Sequence, residues 1–226
     1  MENISENVDN VKSIVKSIQN DENPIEIVAV TKTFDAKTVL NALNCGLKHI
    51  GENKIQEALP KFDQLGDSLK GITKHFIGHL QSNKVKKAVE NFDLIQSLDS
   101  LALAQDIDKH SNNIGKVQNC LIEVKISKEP SKTGINPQEL EDFYSQCLKL
   151  SNILIKGLMI IAPLNAQDDE ARYCFKEGYR LFSSLKDEDF KILSMGMSAD
   201  YQIAIEEGAN MIRIGSAIFG QRDYAN

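Results

Sequence analysis

Lys32 closes the run Val28-Ala29-Val30-Thr31-Lys32-Thr33. Side chains alternate along a strand, so Val28, Val30 and Lys32 share one face, and Lys32 is the first charge that face carries. A lysine held at the end of an apolar strand is desolvated, which lowers its pKa and frees the amine as a nucleophile. That is the requirement for Schiff-base chemistry, although a surface lysine capping a strand has the same spacing. Two further stretches suit an anion. Ser194-Met195-Gly196-Met197-Ser198 and Gly215-Ser216 each follow a short apolar run and lead into a helical pattern. Small residues, a hydroxyl and free backbone N–H groups at a helix start form a phosphate cradle, or a plain N-cap.

Arg213 is the odd residue in Met211-Ile212-Arg213-Ile214 and shares its phase with Met211. If that face is buried, the guanidinium needs a partner: an acid such as Glu123, or a bound cofactor. Asn53 ends the run Ile50-Gly51-Glu52-Asn53, and Met197 reads either as packing or as a pliable wall for a flat ligand. His75 and His79 are four apart but fall on a strand and a loop, so no metal pair is expected. His49 and His110 read as structural.

The elements that must position these groups alternate regularly. A helix with Val8, Val11, Val15 and Ile18 on one face precedes a strand at 25–30. Helical segments are expected at 36–45, 53–65, 82–90, 100–112, 136–149, 168–185 and 198–208. Strands are expected at 48–51, 74–78, 94–98, 117–126 (the longest), 154–161, 192–195 and 211–214. Eight strand–helix alternations without a linker predict one domain over residues 1–226, a single (β/α)8 TIM-type barrel with an N-terminal helix. An open doubly wound sheet is the runner-up. In a barrel the βα loops form the active face, and loops after strands seven and eight often hold a phosphate. Lys32, Asn53, Met197, Ser198, Arg213, Gly215 and Ser216 would then share one end.

Composition narrows the partners. The 226 residues include 42% hydrophobic and 26% charged residues, with a net charge of −6 and a pI near 5.3. An acidic chain is a poor match for nucleic acid or an anionic membrane. Cys45, Cys120, Cys147 and Cys174 lack metal spacing and read as reduced thiols. No apolar signal core opens the chain, and Gly157–Pro163 is too short to span a bilayer. A cytoplasmic monomer is expected.

The residues also carry a family likeness from about position 25 onward. The stretches are Val28–Thr33, His49–Asn53, His75–Lys84, Ser131-Lys132-Thr133-Gly134, Gly157-Leu158-Met159, Leu193–Asp200 and Arg213–Gly220. Together they resemble the pyridoxal phosphate homeostasis proteins, whose barrel is like the N-terminal domain of alanine racemase. The resemblance implies pyridoxal 5′-phosphate as a Schiff base on Lys32, its phosphate on Ser198, Gly215 and Ser216, and Arg213 beside the pyridine nitrogen. An arginine there keeps that nitrogen unprotonated and weakens the ring as an electron sink. The racemases also use a tyrosine from a second, all-β domain, for which this sequence has no room.

The implied role is therefore a non-catalytic carrier or regulator in vitamin B6 and amino-acid homeostasis, with apo-enzymes that accept the cofactor as its potential partners. A weak amino-acid racemase and a cofactor-free Schiff-base aldolase are the alternatives. Two positions depart from the family pattern: Phe34, where a second basic residue is common, and Lys125, where asparagine is expected.

Overall fold

The β-branched runs form short parallel strands because such side chains fit a pleated surface buried on both faces. The amphipathic segments between them form helices that cover those strands. The computed structural model describes residues 3–19, 24–126, 133–163, 166–185 and 188–221. Ser131 and Lys132 of the family stretch lie outside the described residues.

An N-terminal helix α1 (Ile4–Ile18) precedes β1 (Glu26–Val30), α2 (Ala36–Asn44), β2 (His49–Glu52) and α3 (Ile55–Leu65). Then come β3 (Thr73–Phe76), α4 (Val85–Asn91), β4 (Leu94–Leu98), α5 (Leu101–Asn113) and β5 (Gln118–Val124). The chain continues through α6 (Leu140–Cys147), β6 (Ile153–Ile160), α7 (Asp168–Ser184), β7 (Ile192–Ser194), α8 (Tyr201–Glu206), β8 (Met211–Ile214) and α9 (Ser216–Phe219). Each strand pairs with the next in parallel, and β8 returns to β1. The barrel is closed, so the open-sheet alternative is excluded.

Three expectations need correction. β6, not β5, is the longest strand, because β5 stops at Val124 and bridges only to Ile135 beyond it. The segment after Asn136 begins as a 3-10 turn (Pro137–Glu139) before α6, as a proline at the first helical position allows. The eighth helix begins at Tyr201 rather than Ser198, which stands in the turn before it.

Val28 stands in register with His49 on one side and Arg213 on the other. Neighbours in register share a face, and Val28 clusters inside the barrel with Leu94, Leu121, Met159 and Met211. Val30, Lys32, Gly51, Asn53, His75, Gln96, Ser194 and Arg213 therefore belong to the inward phase. The larger apolar cluster lies between barrel and helices. Gly157 (φ 148) permits the close approach of β6 to β7, since a Cβ there would lie 1.8 Å from the Ile192 carbonyl oxygen.

Among the described residues no helix is long and apolar enough to cross a membrane. The four cysteines are not bridged. Burial pushes the Cys147 thiol up to about 12.

Candidate ligand site at the mouth of the barrel

Lys32 follows β1 by two residues, half-buried, in the inward phase. The backbone around it is unusual. Thr33 has φ 72, a region that β-branched residues rarely occupy, and such strain concentrates at functional turns. The turn is held from below: Thr31 N–H donates to Gly51 O at 2.9 Å, and Phe34 N–H donates to Thr31 O at 3.2 Å. Phe34 stacks on Phe219 with ring centroids 4.7 Å apart. At this position the chain therefore spends an aromatic on α9 packing rather than a cation.

The two expected anion turns are joined by one side chain. Ser198 Oγ accepts from Gly215 N at 3.1 Å and from Ala217 N at 3.2 Å. The hydroxyl caps α9 across the barrel end instead of capping its own helix. Gly196 (φ 91) makes the preceding turn, where a Cβ would approach Tyr201 Cα at 2.9 Å. Asp200 Oδ1 accepts from Met197 N at 2.6 Å, which opposes the rise that burial imposes on its carboxyl. Ser216 is exposed as the first residue of α9, and Gly215 is buried. A cavity of about 520 Å³ between the start of α1 and α9 is lined by Glu6, Asn7, Ser198, Ala199, Ser216 and Ala217, among others; Lys32, Asn53, Met197, Arg213 and Gly215 are not part of its lining. Met197 is 37% exposed, whereas Met195 is packed in the core.

Arg213 is 4% exposed. Its Nη1 donates to Ser194 Oγ at 2.7 Å, and its Nη2 donates to Ile160 O at 2.9 Å. The expected ion-pair partner Glu123 acts on it only as a nearby charge, together with Asp200. Burial is the larger influence and draws the guanidinium down to about 10, so it stays protonated at neutral pH. Glu123 itself accepts from Thr133 Oγ1 at 3.0 Å, and burial raises its pKa.

Below Arg213 runs a chain of polar side chains that sequence reasoning missed. Ser194 Oγ donates to Gln96 Oε1 at 2.7 Å, and Gln96 Nε2 lies 2.9 Å from His75 Nδ1. His75 Nε2 lies 3.0 Å from His49 Nδ1. An amide nitrogen only donates, so in this orientation His75 accepts at Nδ1 and carries its proton on Nε2. Burial, then the neighbouring His49, pulls His75 down to about 3, which keeps it neutral. The available signal was a polar residue at the inward phase of each strand, as in Leu94-Ile95-Gln96 and Thr73-Lys74-His75.

At the mouth, Asn53 Oδ1 is buried with no hydrogen-bond partner among the described residues. His79 Nδ1 lies 3.2 Å from Asp99 Oδ2. Among the described residues no group of three or more His, Cys, Asp or Glu could hold a metal ion. Lys32, Asn53, Met197, Ser198, Arg213, Gly215 and Ser216 all sit on β1, β2, β7 and β8 or just beyond their C-terminal ends. Those four strands are neighbours around the closed barrel.

Known proteins are similar to this chain along almost its whole length. The family described as "Alanine racemase, N-terminal domain" matches residues 1–223. A pyridoxal phosphate homeostasis protein of Aquifex aeolicus is 37% identical over 226 residues, covering 99% of this chain and 98% of that protein. One from Synechocystis is 39% identical over 201 residues, covering 88% and 92%. The solved structure of PipY from Synechococcus elongatus with PLP bound superposes with a TM-score of 0.87 at 35% identity, covering 96% of this chain and all of that one. With the closed barrel and these full-length relatives together, the chain belongs to the pyridoxal phosphate homeostasis protein family, on the alanine racemase N-terminal domain fold.

Proposed function

We propose that this protein binds pyridoxal 5′-phosphate at the barrel mouth and serves vitamin B6 homeostasis without turning over a substrate. The observation that carries the reading is the joining of Lys32, the Ser198–Gly215 cap and Arg213 at one end of the barrel. The residues suit the group chemically. Ser198 and Ser216 supply hydroxyls to a phosphate beside the start of α9, whose Gly215 and Ala217 N–H groups are held by Ser198 Oγ. Asn53 Oδ1 is a buried acceptor without a hydrogen-bond partner among the described residues. Arg213 is a permanent cation that cannot give up a proton at neutral pH, so it donates to a ring nitrogen without protonating it. Met197 offers a pliable exposed wall.

When bound, the aldehyde of this group condenses with an amine, and Lys32 is the proposed amine. The other residues orient and retain. Asn53, Met197, Ser198, Arg213, Gly215 and Ser216 include no side chain that acts as an ordinary general base at neutral pH, which favours holding the cofactor over racemising an amino acid. A cytoplasmic monomer that releases cofactor to apo-enzymes completes the reading.

The test is an absorption spectrum of purified protein with pyridoxal 5′-phosphate, followed by borohydride reduction and peptide mass mapping. A visible imine band with the reduced adduct on Lys32, absent from a folded Lys32→Ala variant, is the expected result. A colourless protein that cannot be loaded overturns the proposal. Sustained turnover of an amino acid by pure protein, lost in Lys32→Ala, would replace the carrier with an enzyme.

A further inference from the structure

A buried ionic cluster lies directly behind the Lys32 turn, on the outer face of the sheet. Lys61 of α3 donates from Nζ to Glu52 Oε1 at 2.5 Å and to the backbone oxygen of Thr31 at 2.7 Å. The Thr31 hydroxyl donates to the same Glu52 oxygen at 2.6 Å. Thr31 and Glu52 are fully buried, and Lys61 is 7% exposed. The second carboxylate oxygen, Glu52 Oε2, has no hydrogen-bond partner among the described residues. One helical turn before Lys61, the Glu57 carboxylate pairs with Lys54 at 2.9 Å, and Lys54, with a smaller contribution from the nearby Thr33 backbone N–H, holds its pKa below the ordinary value.

The same face of α3 thus holds the backbone before Lys32 at Thr31 O and brings the Glu57 carboxylate near the backbone after it, at Thr33 N. The second of these positions, Thr33, is the one non-glycine residue with positive φ among the described residues. Burying a carboxylate and an ammonium together is a poor way to gain stability, since well-packed apolar side chains often do as well. A pair that touches the turn's backbone, and leaves one oxygen unsatisfied, calls for a role in the turn.

We propose that Glu52, Lys61 and Glu57 are positioning residues for Lys32. They fix the strained Thr31–Thr33 turn so that the Lys32 amine meets the cofactor carbonyl already oriented for attack. The step they serve is condensation: the amine nitrogen bonds to the aldehyde carbon, the carbonyl oxygen leaves as water, and no oxidant or reductant is required. This inference rests on the proposed binding of pyridoxal 5′-phosphate.

The test compares two ligands. Pyridoxal 5′-phosphate forms the imine, whereas pyridoxine 5′-phosphate carries an alcohol in place of the aldehyde and reports ring and phosphate binding alone. Both are titrated into the wild-type protein, Thr31→Val, Glu57→Gln and the double variant Glu52→Leu/Lys61→Met, which removes both buried charges together. We expect pyridoxine 5′-phosphate affinity to stay within twofold in every variant. The preference for pyridoxal 5′-phosphate over it should fall tenfold or more in the double variant and severalfold in Thr31→Val and Glu57→Gln. The borohydride-trapped adduct on Lys32 should form correspondingly more slowly.

Wild-type preference and trapping rate in these variants overturn the inference. Equal loss of both ligands also overturns it, because the cluster would then be acting on the fold. Should the double variant fail to fold, Thr31→Val and Glu57→Gln decide the matter by the same criteria. A wild-type protein that binds pyridoxine 5′-phosphate but traps no adduct on Lys32 removes the functional reading itself, a result distinct from any change among the variants.

Discussion

The Arg213 guanidinium donates to the Ser194 hydroxyl at 2.7 Å, and this bond begins a run of donors that all point the same way. Ser194 donates to Gln96, Gln96 donates to His75, and His75 donates to His49. Each member is polarised by the one above it, which strengthens the run where the dielectric is low. A barrel interior is usually filled with branched apolar side chains. Here part of it supports the buried cation of Arg213, on the last strand.

Ser194→Ala is expected to lower stability by roughly 1–3 kcal/mol, because it leaves a buried Gln96 oxygen and an Arg213 N–H without their partner. Urea unfolding followed by circular dichroism measures this. The loss should exceed that of Ser17→Ala, whose exposed hydroxyl bonds only within its own helix. Equal losses would mean that water or a neighbour replaces Ser194 at no cost.

His75 gives the fold a pH dependence of definite sign. Its folded pKa is held near 3, below the ordinary 6.5, so between these values the unfolded chain binds more protons than the native one. Stability is then complete above about pH 6.5 and declines as pH falls towards 3, by up to about 1.4 kcal/mol per pH unit from this group. Glu123 and Asp200, with raised pKa values, act in the opposite direction. Denaturant midpoints from pH 7 to 4 should therefore fall more steeply in the wild type than in His75→Leu. Parallel curves would show that His75 is not the neutral, buried base that its surroundings imply.

Ser198→Ala removes the acceptor shared by Gly215 N and Ala217 N and, in the proposed site, one donor to the phosphate. Retention of pyridoxal 5′-phosphate should weaken by about 1 kcal/mol, or roughly fivefold in Kd, the ordinary worth of one hydrogen bond. Ser216→Ala should do the same. Equilibrium dialysis or a fluorescence titration reads both, and unchanged retention in both variants would remove the phosphate from these turns.

The alternation of strands and helices was legible in the sequence because parallel strands are β-branched runs and their helices keep a 3.6-residue period. Lys32 and Arg213 stood out for the same reason, as charges where the pattern calls for apolar residues. Helix starts were less legible. A serine before an apolar run suggests an N-cap, but the Ser198 hydroxyl serves α9, which is remote in sequence, and local spacing cannot display that. His49, His75 and Gln96 were illegible as a group, because each is a lone polar residue until three strands bring them into one register. The Glu52–Lys61 pair was hidden similarly: its members lie nine residues apart, and only the packing of α3 on β2 joins them.

Gly78 tests the remaining site residue without touching its side chain. A Cβ at Gly78 would lie 2.3 Å from the backbone oxygen of Asn53 and 2.8 Å from its Cα, and backbone atoms cannot rotate away. Gly78→Ala should therefore displace Asn53 from the mouth and lower stability by about 1–3 kcal/mol, as overpacking does. If Asn53 Oδ1, which has no partner among the described residues, is a ligand contact, affinity for pyridoxal 5′-phosphate should fall as well, and Asn53→Ala should reproduce that fall with a smaller loss of stability. Thermal unfolding and cofactor titration of the two variants separate these effects. A Gly78→Ala protein that is destabilised yet binds like the wild type would take Asn53 out of the site and leave the ligand to Lys32, Arg213 and the Ser198 turn.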